Sequence, residues 1–389
     1  MTEPGTCMWD CVVVGAGVMG SATSLQLVQN GARTLLLEQF CLPHSRGSSW
    51  GQTRATRKSY KQEHYARMAA GSNRLWRQVE METGTKLTVD ARHFAWGRPE
   101  NPILQDIQEN LQKVGVHSKL LTNQELQREF PMLRFPGDYV GVSEEGAGLI
   151  KADQAVRALQ DLFVQKGGCL RDGEAVTGIT PGPTVTVVTS ERTIQTRRLV
   201  LTCGPWTSKL LDGLGLELPL ETLRINVCYW KEREPSSHSL QSNFPVFKDE
   251  ETGVYGMPCF EYPDMMKITR HTGHAADPDN RDANMQADLT FDLRFLSDFV
   301  RKFFPGLYDK PSIVETCMYT NTPDGEYILD RHPGHRNIVI GAGFSGHGFK
   351  LAPMVGKLLC ELTLDKPPSL DMAPFRLDRF TSRKAVSKL

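Results

Sequence analysis

The stretch Asp10–Phe40 constrains this chain more than any other. A β-branched run, Cys11-Val12-Val13-Val14, reads as a buried parallel strand. Gly15, Gly17 and Gly20 follow at G-x-G-x-x-G spacing, and Val18, Ala22, Leu25 and Val28 then recur at helical intervals until Gly31. Thr34–Leu37 makes a second buried strand, closed by Glu38. Gly15 allows the tight turn off the strand, Gly17 lets the backbone approach a pyrophosphate, and Gly20 lets the helix pack against the sheet. The helix N-terminus offers unpaired N–H groups and a positive dipole end to the phosphates. Glu38, about twenty residues after the glycines, suits the ribose hydroxyls. Strand, glycines, helix, strand and acid in this order mark a Rossmann-like dinucleotide-binding unit, and leave NAD and FAD both open.

A chain of 389 residues has room for two lobes. Between 216 and 310 the pattern changes to short β-rich runs: Asn226–Trp230, Phe247–Lys248, Val254–Phe260 and Met265–Arg270. Such runs, separated by turns, predict an antiparallel sheet. The expected architecture is therefore an α/β two-lobe fold. Its dinucleotide-binding domain comprises 1–85, 146–215 and 311–389, and its antiparallel-sheet substrate domain 86–145 and 216–310. The small, polar, basic stretch Gly47–Arg57 predicts a loop or a frayed helix start, with Arg54 and Arg57 on one helical face near cofactor or substrate. A helix over Asn123–Phe130 is expected with Asn123 as its N-cap. Thr193–Gln195 and Leu199–Thr202 read as separate strands.

A second glycine-rich turn follows the strand Asn337–Ile340. Gly341, Gly343, Phe344, Gly346, Gly348 and Lys350 lead into a helix expected over Leu351–Leu362. Here again a backbone approaches a ligand closely. The helix that follows offers a positive end, and Lys350 a fixed cation for a substrate carboxylate.

Charge and cysteine content exclude several classes. The 45 basic residues balance the 45 acidic ones, which gives no electrostatic footprint for nucleic acid or an anionic membrane. No apolar run approaches the roughly 20 residues a membrane span needs, and Met-Thr-Glu-Pro lacks the features of a signal peptide. The 9 cysteines are scattered without C-x-x-C, which argues against a disulfide framework or structural zinc and for a reducing compartment. No metal site is expected. Ser387-Lys388-Leu389 is a peroxisomal address, read by an import receptor, when it is the free carboxyl terminus.

Two segments carry a family resemblance: Glu315-Thr316-Cys317-Met318-Tyr319-Thr320-Asn321-Thr322-Pro323-Asp324 and Gly343-Phe344-Ser345-Gly346-His347-Gly348-Phe349-Lys350. With them the chain, from Cys11 to about Asp365, resembles the monomeric sarcosine oxidase family within the D-amino-acid-oxidase-like FAD amine oxidases. The resemblance implies FAD rather than NAD, attached covalently through Cys317. It implies that Arg57 and Lys350 bind the substrate carboxylate, that Arg54 lies close to the flavin, that Tyr255 and His271 are active-site residues, and that Lys267 activates oxygen. The implied reaction is oxidation of a secondary amino acid (sarcosine, L-pipecolate, L-proline) by O2, giving an imine and hydrogen peroxide, in a monomeric peroxisomal enzyme. An amine dehydrogenase feeding a carrier protein is the alternative. Trp50 stands where bacterial members have a histidine, and Glu261-Tyr262-Pro263-Asp264 where they have a small glycine-rich stretch, so the pocket differs from theirs.

Overall fold

The computed structural model describes residues 8–283 and 285–380. Two sheets organise them. The first has eight strands, six of them in the order Ile328–His332, His335–Ala342, Thr193–Leu201, Trp9–Val14, Thr34–Leu37, Cys169–Arg171. Its centre is parallel: Trp9–Val14 lies between Thr193–Leu201 and Thr34–Leu37. The central residues Val12, Val13, Leu35, Leu36, Leu199 and Val200 are fully buried, as expected of strands covered on both faces. Helices Val18–Gln29, Glu63–Thr83, Ala152–Gln165 and Ala352–Thr363 share a core with one of those faces.

The second sheet has ten strands, and its register decides the site. Val246–Asp249, Val254–Pro258, Met265–Arg270, Glu221–Lys231 and Ile313–Asn321 run antiparallel in succession. Only alternate residues of a strand share a face. One face presents Phe247, Val254, Met266, Ile268, Cys228 and Trp230 to Leu296, Phe299, Val300 and Phe303 of helix Met285–Phe303, forming a second core. The opposite face carries the alternate set: Lys248 beside Tyr255, Met257 beside Lys267, Ile225 beside Cys317. Burying the apolar set against the helix thus aims the lysines, tyrosines and cysteine the other way, into a cavity between the sheets.

Several expectations change. Thr53–Thr56 is a strand paired antiparallel to Val140–Lys151, so Arg54 and Arg57 do not share a helical face. The stretch looks loop-like locally, and its partner about a hundred residues away decides it. Thr122, not Asn123, caps the helix Asn123–Glu129, in a reciprocal capping box with Glu125. Thr193–Leu201 is one strand, not two. Leu351, expected to begin the last helix, instead ends a 3-10 turn, Phe349–Leu351, and the helix is Ala352–Thr363. The sheet of the second lobe is not wholly antiparallel, since Val246–Asp249 pairs in parallel with Thr88–Gly97. Thr53–Thr56, the end of Val140–Lys151 and Ile313–Asn321, all within the segments assigned to the dinucleotide-binding domain, supply strands to the second sheet. No helix among the described residues is long and apolar enough to cross a membrane. Ser387-Lys388-Leu389 lies outside the described residues.

Candidate active site

A cavity of about 1120 Å3 runs from the first glycine-rich turn, past Glu38, to Cys317, Lys267 and Lys350. Its near end is a backbone cradle. Gly15 has φ +96°, and a Cβ there would stand 2.6 Å from the Thr202 carbonyl oxygen. A Cβ on Gly20 would stand 1.9 Å from the Gly15 oxygen, so helix Val18–Gln29 can press against the turn only without a side chain. Gly17 caps the helix, and Val18 N donates to Ser49 Oγ at 3.0 Å. Glu38 is buried at the end of Thr34–Leu37, its Oε2 accepting from Ala16 N at 2.9 Å. An ionised carboxylate has about four acceptor sites, which leaves capacity for a ribose. This close backbone, the remaining acceptor capacity of Glu38 and the length of the cavity fit a dinucleotide.

At the far end, two cations converge on one tyrosine. The Arg57 guanidinium carbon lies 4.3 Å from the Tyr60 ring centre, and Lys350 Nζ donates to Tyr60 Oη at 3.2 Å and to the His347 carbonyl at 3.2 Å. Both residues are 9% exposed, and among the described residues neither forms an ion pair with a carboxylate. Burial, and after it Arg57, Lys248 and Arg54, push the Lys350 ammonium well below the usual lysine range. Burial pushes the Tyr60 phenol up to about 12, so it stays neutral beside both groups.

Tyr255 and Tyr319 face each other from neighbouring parts of the second sheet, their hydroxyls 2.9 Å apart. Tyr319 Oη lies 3.4 Å from His271 Nδ1, and the His271 ring stacks on Tyr255 with centres 4.3 Å apart. His271 sits just past the end of Met265–Arg270. Burial, then Lys248, Lys350 and Arg57, hold its imidazole well below the ordinary histidine range, so it is neutral at pH 7.

Lys267 is 5% exposed, and its Nζ lies 3.3 Å from Glu261 Oε1 and 3.3 Å from the Thr53 carbonyl oxygen. Burial and the neighbouring Arg54 lower its proton affinity, against the pull of Glu261. Burial alone would raise the Glu261 carboxyl; Lys267 and the two Thr53 donors, N at 3.0 Å and Oγ1 at 2.5 Å, instead hold it down to about 2. Arg54 turns inward to the carbonyls of Ser48, Trp50 and Thr53, and so ties down the loop against which Cys317 rests. Cys317 Sγ is 3.9 Å from the Ser48 oxygen and half-buried on the cavity wall.

Every catalytic candidate read from the sequence, Arg54, Arg57, Tyr255, Lys267, His271 and Lys350, borders this one cavity, as do Gly15, Gly17, Glu38, Cys317, Phe344 and Gly346. Gly20 and Gly343 stand behind the wall and shape it: a Cβ on Gly343 (φ +66°) would lie 2.4 Å from Thr322 Cγ2. Sequence reasoning missed Tyr60, Lys248, Glu261 as the partner of Lys267, and Tyr319. Tyr319 was within reach, being two residues from Cys317 on the same strand face. The Lys267–Glu261 pair had no local signal.

Residues 10–362 match the family model for FAD dependent oxidoreductases of the DAO type. The chain is 49% identical to peroxisomal sarcosine oxidase of Homo sapiens, over 96% of this chain and 97% of that protein. It belongs to the sarcosine oxidase family of FAD-dependent oxidoreductases. It is also 47% identical to peroxisomal sarcosine oxidase of Mus musculus, over 97% of each. Among solved structures, the open form of NikD, an amino acid oxidase of nikkomycin biosynthesis, superimposes with a TM-score of 0.80 at 24% identity, covering 95% of this chain and 97% of that one. That likeness shows the shared two-lobe, mixed α/β fold. The family's cofactor is FAD, which the cradle at Gly15, Gly17 and Glu38 fits, and among the described residues no acidic, His or Cys cluster suits a metal ion.

Proposed function

We propose that this enzyme oxidises small secondary amino acids, with sarcosine, L-pipecolate and L-proline as the substrates to compare, and passes the electrons to O2. The carrying observation is the pair Arg57 and Lys350: two buried basic side chains, both in contact with Tyr60, without an internal carboxylate among the described residues. Buried charge left uncompensated is costly, so the site is built to receive an anion, and a substrate carboxylate satisfies it. Bidentate binding of that carboxylate orients the rest of the molecule along the cavity. The same positive surroundings disfavour an ammonium, so the substrate amine enters neutral, with the lone pair that oxidation requires.

A bound flavin would supply the two-electron carrier between substrate and O2. The substrate loses two electrons and two protons to become an imine, which water hydrolyses; O2 gains two electrons and two protons to become hydrogen peroxide. Lys267, a fixed cation at the cavity wall, is assigned to lowering the cost of the first electron's arrival on O2. Tyr255, Tyr319 and His271 form the polar wall beside it. Cys317 is assigned the covalent tether. A peroxisomal, monomeric enzyme is the accompanying reading; the names of the human and mouse relatives support the first part of it.

Oxygen uptake and peroxide formation with each of the three substrates test the proposal. Reduction of an artificial electron carrier without oxygen uptake would replace the oxidase with an amine dehydrogenase.

A further inference from the structure

The cavity is bordered by a further cation, Lys248, that the reaction above does not use. Lys248 lies opposite Tyr255 in an antiparallel register, on the next strand of the second sheet. Directly opposed residues share a face with Cβ atoms about 5 Å apart. Lys248 therefore emerges beside Tyr255, on the face that carries the polar wall, and borders the cavity. Its strand neighbour Val246, two residues back on the same face, opposes His93, which borders the cavity too. Lys248 is electrostatically felt by His271, His347 and Lys350 together, which places it at the substrate end rather than along the dinucleotide.

Glu250 Oε2 accepts from Lys248 Nζ at 2.6 Å, with the carboxylate side chain 5% exposed and the lysine side chain 22% exposed. Glu250 is not part of the cavity wall, whereas Lys248 is. An ammonium has three donors; one is spent on Glu250, and among the described residues the other two have no protein acceptor. A buried carboxylate placed behind a lysine holds its head in position.

We infer that Lys248 is a specificity-determining residue that receives a second carboxylate, making amino dicarboxylates with a secondary amine, such as N-methyl-L-aspartate or N-carboxymethyl amino acids, substrates or ligands of this site. The inference rests on the reading of Arg57 and Lys350 as the clamp for the first carboxylate. The oxidation itself is unchanged; only the substituent held at the far wall is new.

The test uses holoenzyme and thioether analogues, which lack the oxidisable nitrogen. Titration of (methylthio)acetate, thiodiacetate and the one-carbon-longer dicarboxylate, followed by the flavin absorbance change, gives three dissociation constants. At least one dicarboxylate is expected to bind about tenfold more tightly than the monocarboxylate. Lys248→Met should bring that ratio to about one, and Lys248→Arg should retain it, with thermal melts verifying that both variants fold. A monocarboxylate that binds with no dicarboxylate preference, or a preference unchanged in Lys248→Met, overturns this inference alone. No spectral response to any of the three overturns it together with the carboxylate clamp. The kinetic counterpart is the kcat/KM ratio of N-methyl-L-aspartate to N-methyl-L-alanine, which should fall by a similar factor in Lys248→Met.

Discussion

Lys267 and Glu261 form a buried ion pair, Nζ to Oε1 3.3 Å, with both side chains under a tenth exposed. Thr53 donates twice to the same carboxylate, so the loop carrying Glu261 is pinned to strand Thr53–Thr56 at the point where the lysine enters the cavity. The cation assigned to the oxygen reaction is thereby held by a neighbour that the short loop after Pro258 supplies.

Replacing Lys267 by Met should slow reoxidation by O2 on the order of a hundredfold while leaving anaerobic reduction by substrate much less affected. Stopped-flow measurement of the two half-reactions separates them; equal losses in both would remove the oxygen role. The variant also strands Glu261, which typically costs about 3–5 kcal/mol of stability. The double variant Lys267→Met, Glu261→Gln should recover part of that loss in denaturant melts.

Acid should destabilise the fold in two stages. His93, His271 and His347 have imidazoles held well below their ordinary 6.5 by burial, followed by nearby cations. Their unfolded forms take up protons first, so the stability they contribute is present above pH 6.5 and declines as pH falls below it. Glu261, held down to about 2 from 4.5, contributes stability that is present above 4.5 and is lost as pH falls toward 2. Melting temperature against pH should show both declines, and Glu261→Gln should flatten only the lower one.

Cys317→Ser should leave FAD bound in the cradle but extractable by acid. Yellow colour that stays with the acid-precipitated variant would place the tether elsewhere.

Arg57→Gln and Lys350→Met should each lower kcat/KM by about ten- to a hundredfold, the worth of one charge-assisted hydrogen bond to a buried carboxylate. Steady-state kinetics with sarcosine, L-pipecolate and L-proline checks this. An unchanged kcat/KM in both variants would rule out the clamp.

Gly346→Ala tests the second glycine-rich turn. Gly346 has φ +76°, and a Cβ there would stand 2.2 Å from Tyr319 Cε2. The variant should lose stability and displace Tyr319 from Tyr255, which melts and FAD content would both register; wild-type values for both would show that the turn tolerates a side chain.

Much of this protein was legible in the chain itself. The glycine spacing at Gly15, Gly17 and Gly20, with Glu38 closing the next strand, determined the dinucleotide unit, because a backbone that must approach phosphate admits no Cβ and marks its own position. The motifs at Cys317 and Gly343–Lys350 determined the family. The tertiary structure decided what no local pattern encodes. Thr53–Thr56 is a strand because Val140–Lys151 lies beside it. Lys267 is buried because the Glu261 carboxylate and the Thr53 carbonyl accept from it, and the Thr53 donors hold that carboxylate in place. Lys248 enters the cavity because its strand pairs with Tyr255 in one register and not the next. In each case the deciding energy comes from partners distant in sequence: a hydrogen-bonded strand, a counter-charge, or an apolar face buried on helix Met285–Phe303 that turns every alternate side chain toward the site.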